Sequence, residues 1–159
     1  MTAQYSTRYI SQHLTVSLVE VAATSEQRTL QVVVHPGGEW RVDLPIWYLP
    51  GVAILDASAI ALWAGARFHL LVPGKAAVSV DLEDEVHAIY GVGSSLCIVS
   101  ELSVLLYEPT ARRVLDRFDA DDVLGESWWE ERRLMVQASS GAALVFTPTP
   151  TSLAMAQST

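Results

Sequence analysis

Along most of the chain the apolar residues come in runs of four to eight, rich in Val, Ile, Leu and aromatics and cut by Gly, Pro, Asp and Ser. That is the pattern of strands, and helical spacing is hard to find. Tyr5 to Ile10 reads as a first strand. Leu14, Val16 and Leu18 alternate with polar neighbours up to Val21, and the patch Thr24-Ser25-Glu26-Gln27 then hands over to a second run, Thr29 to His35. A hairpin is expected there. Pro36-Gly37-Gly38 closes it, and Trp40, Val42 and Leu44 form one face of a further short strand, with Arg41 and Asp43 on the other.

From residue 45 onward the pattern repeats. Val52-Ala53-Ile54-Leu55-Asp56-Ala57-Ser58 followed by Ile60 to Trp63 matches Leu96 to Leu102 followed by Val104 to Tyr107, and again Leu134 to Ser140 followed by Ala143 to Phe146. Each is an apolar strand, a short polar turn and a second apolar strand ending in an aromatic. Ile54 to Ile98 is 44 residues, Ile98 to Val136 is 38, Trp63 to Tyr107 is 44 and Tyr107 to Phe146 is 39. An aromatic-bearing strand precedes each pair: Ile46-Trp47-Tyr48, then Val86 to Tyr90, then Ser127-Trp128-Trp129. Ala76 to Leu82 and Val114 to Phe118 are more polar strands suited to a sheet edge.

These units resemble the blades of a β-propeller, four-stranded antiparallel units of about forty residues. The glycine, histidine and Trp-Asp marks of particular propeller classes are absent from the expected places, so the resemblance names no class within the fold. It implies an all-β domain over residues 1–148, with units 1–44, 45–84, 85–123 and 124–148, and with 149–159 as a flexible tail or, through Ser152 to Gln157, a weak last strand. The chain's 159 residues hold four such units. The same tandem hairpins fit a β-sandwich, which stays open as the alternative, and an open array completed by homo-oligomerisation is a third arrangement.

Half of the residues are hydrophobic and 18% are charged, which excludes disorder for most of the chain. The net charge of −8 argues against a nucleic-acid partner, because phosphate binding is carried by Lys and Arg. The charge is also lopsided: Asp81 to Glu131 holds thirteen acidic and three basic residues, and the remainder holds five acidic and seven basic. Asp56, Arg67, His69 and a turn at Gly65 interrupt the most apolar stretch, Val52 to Val72, so no membrane span is expected. No secretory signal is read at Met1 to Ile10, and the single cysteine, Cys97, fits a reducing, cytoplasmic setting.

Catalytic signatures are missing. Gly91-Val92-Gly93-Ser94-Ser95 has Leu96 where a dinucleotide fingerprint needs its third glycine, and it reads as a hairpin turn. Neither a Gly-x-Ser-x-Gly elbow nor a phosphate-cradling loop is present. His13, His35, His69 and His87 lie singly, without the pairing of a metal site. His87, beside Asp84 and Glu85, is a surface histidine flanked by carboxylates. Asp119-Ala120-Asp121-Asp122 with Glu130 is a partial match to a calcium loop, with Val123 at the fifth position and the glycine, Gly125, one place late. No metal and no cofactor is expected.

The densest unusual composition is Glu126-Ser127-Trp128-Trp129-Glu130-Glu131, two tryptophans among three carboxylates. Adjacent strand residues face opposite ways, so only one of the two tryptophans can enter a given core face. Asp119, Asp121, Asp122, Glu126, Trp128, Trp129, Glu130 and Glu131 are therefore the candidate partner-binding residues. The function expected is a non-catalytic interaction module presenting an acidic face to a basic protein, of which an immunity-type inhibitor of a basic nuclease is one form. The alternative is a small-ligand or carbohydrate binder, or an enzyme, with a pocket lined by Trp47, Tyr48, Tyr90 and Trp128.

Overall fold

The computed structural model describes residues 5–55 and 59–156. Among them every regular element is a strand, and the strands form four antiparallel sheets of four, each a meander in chain order. The first sheet holds β1 (Ser6–Ile10), β2 (Thr15–Ala23), β3 (Gln27–His35) and β4 (Gly38–Pro45). The second holds β5 (Gly51–Ile54), β6 (Ile60–Ala64), β7 (Arg67–Leu71) and β8 (Val78–Asp81). The third holds β9 (Val86–Val92), β10 (Ser95–Ser100), β11 (Ser103–Glu108) and β12 (Arg113–Asp119). The fourth holds β13 (Leu124–Glu130), β14 (Arg133–Ala138), β15 (Ala143–Phe146) and β16 (Met155–Ala156).

The chain divides into two compact units, Met1–Glu83 and Asp84–Thr159. In the first, alternation decides the core: Val16, Leu18, Leu30, Val32, Val42 and Leu44 point inward and meet Ile60, Leu62 and Leu71 of the second sheet. Polar groups fix the two sheets to each other. Trp40 Nε1 donates to the Lys75 carbonyl at 2.9 Å, and His69 Nε2 lies 2.9 Å from the Asp43 carbonyl. At the first turn, the Thr24 hydroxyl accepts the Glu26 and Gln27 amides, which is why the polar patch ends one strand and starts the next.

In the second unit, Cys97, Val99, Val104 and Leu106 of the third sheet pack with Leu124, Leu134, Val136 and Phe146 of the fourth. Phe118 meets Phe146 edge-on at 5.5 Å. Gly93, at φ 58°, makes the β9–β10 turn, as its neighbours in sequence suggest, and Gly65, also at φ 58°, makes the β6–β7 turn. The segment after β15 crosses back over this unit. Ser95 Oγ donates to the Pro150 carbonyl at 2.7 Å, Leu153 is buried in the core, and β16 pairs with β15.

Two expectations from the repeat need correction. Ile46-Trp47-Tyr48 is a turn and bend between β4 and β5, not a strand, because it lies between Pro45 and Pro50, whose missing amides and fixed φ break the ladder. The match of Val52–Trp63 to Leu96–Tyr107 is displaced by one strand. Val52 and Ile60 belong to the first and second strands of their sheet, whereas Leu96 and Val104 belong to the second and third of theirs. The central hairpins that correspond are β6–β7, β10–β11 and β14–β15, and Leu62, Ile98 and Val136 then recur at 36 and 38 residues. The polar turn Asp56-Ala57-Ser58 lies outside the described residues, as does Gln157 at the end of the expected last strand.

Candidate partner-binding surface

The acidic segment starts at the end of β12 and runs through β13. Asp119 closes β12 beside Arg117, Nε to Oδ1 at 2.5 Å. Asp122 is committed to its own fold. One carboxylate oxygen accepts the Ser139 hydroxyl and the Val123 amide (2.8 Å), and the other accepts the Ser140 amide at 2.7 Å. These bonds, the Ser139 hydroxyl first, hold the carboxyl below its usual range. The loop after β12 is thereby clamped to the turn between β14 and β15. The calcium-like spacing thus serves a loop clamp at Asp122, and among the described residues no group of three or more His, Cys, Asp or Glu is placed to hold a metal ion.

Along β13 the alternation separates the two tryptophans. Trp129 lies opposite Leu134 and meets Tyr90 edge-on at 5.5 Å, on the face where the Ser127 hydroxyl bonds the Tyr90 hydroxyl at 2.6 Å. Trp128 lies opposite Met135 on the other face, 38% exposed, with its Nε1 donating to Glu130 at 3.2 Å. Glu130 also faces Arg133 at 4.0 Å, and Glu131 turns the chain into β14 at φ 59°. Asp121, Glu126 and Glu131 are exposed. The eight candidates are thus neighbours along one loop and one strand: Asp122 is bonded into its own loop, Asp119 and Glu130 pair with Arg117 and Arg133, and Asp121, Glu126, Glu131 and both tryptophans, Trp128 at 38% and Trp129 at 37% exposed, reach solvent.

Of the aromatics expected to line a pocket, Tyr90 and Trp128 do not share a face. Tyr90 is engaged on the Trp129 face of β13, and Trp128 is on the opposite face. Trp47 and Tyr48 stand in the loop before β5, 71% and 39% exposed, with Leu49 at 80%. A depression of about 300 Å³ lies beside Trp47, lined also by Glu26, Pro45, Arg67 and Asp81.

Some polar groups that matter carried no signal in the sequence. His69 is buried, and since a carbonyl only accepts, its Nε2 carries the proton shared with Asp43, leaving Nδ1 to accept the Ser79 hydroxyl at 2.7 Å. Burial holds this imidazole below its ordinary range. His69 and Ser79 are cross-strand partners on β7 and β8, a register no spacing rule reveals. Asp116 accepts the Leu153 amide at 2.8 Å. Cys97 is fully buried, and burial pushes its thiol up to about 12, which removes it from nucleophilic chemistry.

No protein-family model and no curated protein matches the sequence. Solved structures do resemble it. A HIRA segment, HIRA(644-1017), aligns over 96% of this chain at 10% identity with a TM-score of 0.56. BamB from Moraxella catarrhalis aligns over 87% at 13% identity, also with a TM-score of 0.56. Both are β-propeller proteins. The fold is propeller-like. The sandwich alternative is set aside, since each of the four sheets is a blade-like four-stranded meander and both of these structures have propeller folds. The chain spans 52% of the first neighbour's length and 41% of the second's.

Proposed function

We propose that this protein is a non-catalytic protein-interaction module whose acidic face, Asp116 to Glu131 with Asp81 to Glu85, meets a basic partner protein. The observation that carries the reading is the concentration of thirteen acidic against three basic residues between Asp81 and Glu131. Exposed carboxylates at Asp121, Glu126 and Glu131 beside the half-exposed Trp128 supply charge around an aromatic anchor, the composition that binding surfaces use. The propeller fold of the neighbours, a rigid scaffold with variable loops, agrees with such a role. An immunity-type inhibitor covering a basic nuclease is the specific form we favour, in the cytoplasm.

The test is titration of a basic nuclease with the purified protein, read as binding and as loss of nuclease activity across a salt series. Binding that weakens steeply with salt and is lost on reversing Asp121, Glu126 and Glu131 to Lys supports the reading. Affinity indifferent to salt and to that reversal overturns it.

A second reading, a small-ligand or carbohydrate site, rests on Trp47 beside its 300 Å³ depression. Titration of tryptophan fluorescence with mono- and oligosaccharides, compared between the native chain and Trp47→Ala, decides it.

A further inference from the structure

β1 is an edge strand, paired with β2 on one side only. The Tyr5 carbonyl accepts the Glu20 amide at 2.9 Å, and the Ser11 amide donates to the Leu14 carbonyl at 2.9 Å. In an antiparallel ladder, residues that exchange hydrogen bonds with the partner strand alternate with residues whose amide and carbonyl point away from it. Tyr5 and Ser11 bound an unbroken register, so Thr7 and Tyr9 bond to β2 as they do, and Ser6, Arg8 and Ile10 aim their amides and carbonyls off the sheet. Three donors and three acceptors stand in a row without a partner strand among the described residues.

Sheet edges are ordinarily blunted by brevity, bulges, proline or charge. The other edges of the described sheets carry these devices. β5 and β8 have four residues and β16 has two, β4 ends at Pro45 and presents Glu39, Arg41 and Asp43, and register shifts interrupt the pairings of β9, β12 and β13. β1 has five residues in continuous register, no proline and one charge, Arg8.

A depression of about 360 Å³ lies against this edge, lined by Ser6, Thr7, Arg8, Ser17 and Val19. Ser6, Arg8, Ser17 and Val19 belong to the sheet face turned away from the core, whereas Thr7 alternates to the other face, so the depression reaches around the free edge of the strand. Arg8 is exposed, stands opposite Ser17 and has no ion pair among the described residues. The other charges of this face, Glu39, Arg41 and Asp43, are on β4, three strands and about 14 Å or more away. Glu20 turns to the core face, where it pairs with Arg28 at 3.8 Å. Two histidines, His13 in the turn after β1 and His35 across β2 from Ile10, add no negative charge. Ile10 ends the strand at 75% exposure.

Charge selects the occupant. A second copy pairing antiparallel through β1 sets Arg8 opposite Arg8 when Ser6 faces Ile10, and like charges directly opposite are unfavourable. An extended segment with a carboxylate facing Arg8 and an apolar side chain facing Ile10 meets the donors of the edge, its cation and its apolar end. We propose that β1 receives an added antiparallel strand from a partner protein, an extended segment of the pattern apolar-x-acidic. Its backbone pairs with Ser6, Arg8 and Ile10, and its Asp or Glu lies beside Arg8 over the depression. The inference goes beyond the basic-partner reading and does not rest on it, because the carboxylates of β12 and β13 repel an acidic segment.

The experiment titrates the full chain with the blocked peptide Thr-Val-Thr-Glu-Thr-Ser-Thr and follows both affinity and amide exchange by nuclear magnetic resonance. Saturating peptide is expected to slow exchange at Ser6, Arg8 and Ile10 by about fivefold or more, selectively over Thr7 and Tyr9, which already bond to β2. A peptide with Lys in place of Glu is expected to bind the native chain about tenfold more weakly and to regain affinity for Arg8→Glu, an exposed substitution outside the core. A peptide N-methylated at its Glu keeps the charge but loses an edge hydrogen bond, and is expected to bind about fivefold more weakly. Affinity indifferent to that methyl group is a charge contact without strand pairing and overturns the proposal. Equal affinity for the Glu and Lys peptides overturns it, as does the absence of selective protection at millimolar peptide. A native chain that dimerises with the same three amides protected and no peptide present assigns the edge to a second copy and overturns it as well.

Discussion

Asp116, in the middle of β12, accepts the backbone amide of Leu153 at 2.8 Å, thirty-seven residues further along the chain. The bond fixes the returning segment where Leu153 enters the core. Its other oxygen accepts the Arg117 amide at 2.9 Å. Asp116→Ala leaves the Leu153 amide without its acceptor, a loss of about 1–3 kcal/mol. Asp116→Asn keeps one acceptor oxygen and should recover part of it. Urea unfolding should rank the native chain above Asn above Ala, and amide exchange at Leu153 should quicken in the same order.

His69 makes stability depend on pH. Its imidazole is neutral in the folded chain and is held below its ordinary range by burial, with the nearby Arg67 adding to the effect against Asp43 and Asp81. The unfolded chain therefore binds a proton that the folded chain refuses. The stabilisation is fully present above the unfolded value of about 6.5, and it falls as pH drops from there toward the lower folded value. Urea midpoints between pH 8 and 5 should decline for the native chain and flatten over the upper part of that range in His69→Gln. Equal slopes in both would assign the decline to carboxylates.

Asp122 and Asp121 are adjacent and should answer differently to substitution. Asp122→Ala removes the acceptor of two backbone amides and one hydroxyl, so the turn around Ser139 and Ser140 loses its anchor and exchanges faster. Asp121→Ala should leave both that exchange and the thermal midpoint unchanged. The carboxylate of Asp122 is held low, so its share of stability is present above the unfolded carboxylate range and is lost as pH falls through the folded value. An acid titration of Ser140 amide exchange follows this directly.

Strand existence was legible because burial on one face writes a period of two into β2, β3 and β4. Unit length was legible from β9 onward, where aromatic ends and turn residues recur. Between residues 45 and 64 it misled, because the aromatic cluster Trp47-Tyr48 sits in a Pro-flanked turn and copies the composition of a strand. The acidic loop was visible as composition. Which carboxylates stay free was not, since Asp122 is satisfied by Ser139 and Ser140 and Asp116 by Leu153, partners set by register and chain crossing. His69 was hidden for the same reason: Ser79 reaches it only through the pairing of β7 with β8.

Gly51 tests the corrected strand assignment. It opens β5 opposite Trp63 on β6, and a Cβ there would fall inside the Trp63 indole. Its backbone is not in the left-handed region, so the requirement is space alone. Gly51→Ala should therefore cost about 1–3 kcal/mol by forcing the indole from its position. Trp63→Leu alone removes packing and should also destabilise. Combined, the two should cost clearly less than their sum, because the smaller side chain makes room for the methyl group. Urea unfolding of the four proteins measures the coupling. Strict additivity would mean that Gly51 and Trp63 do not face each other, and with it the pairing of β5 to β6 would fall.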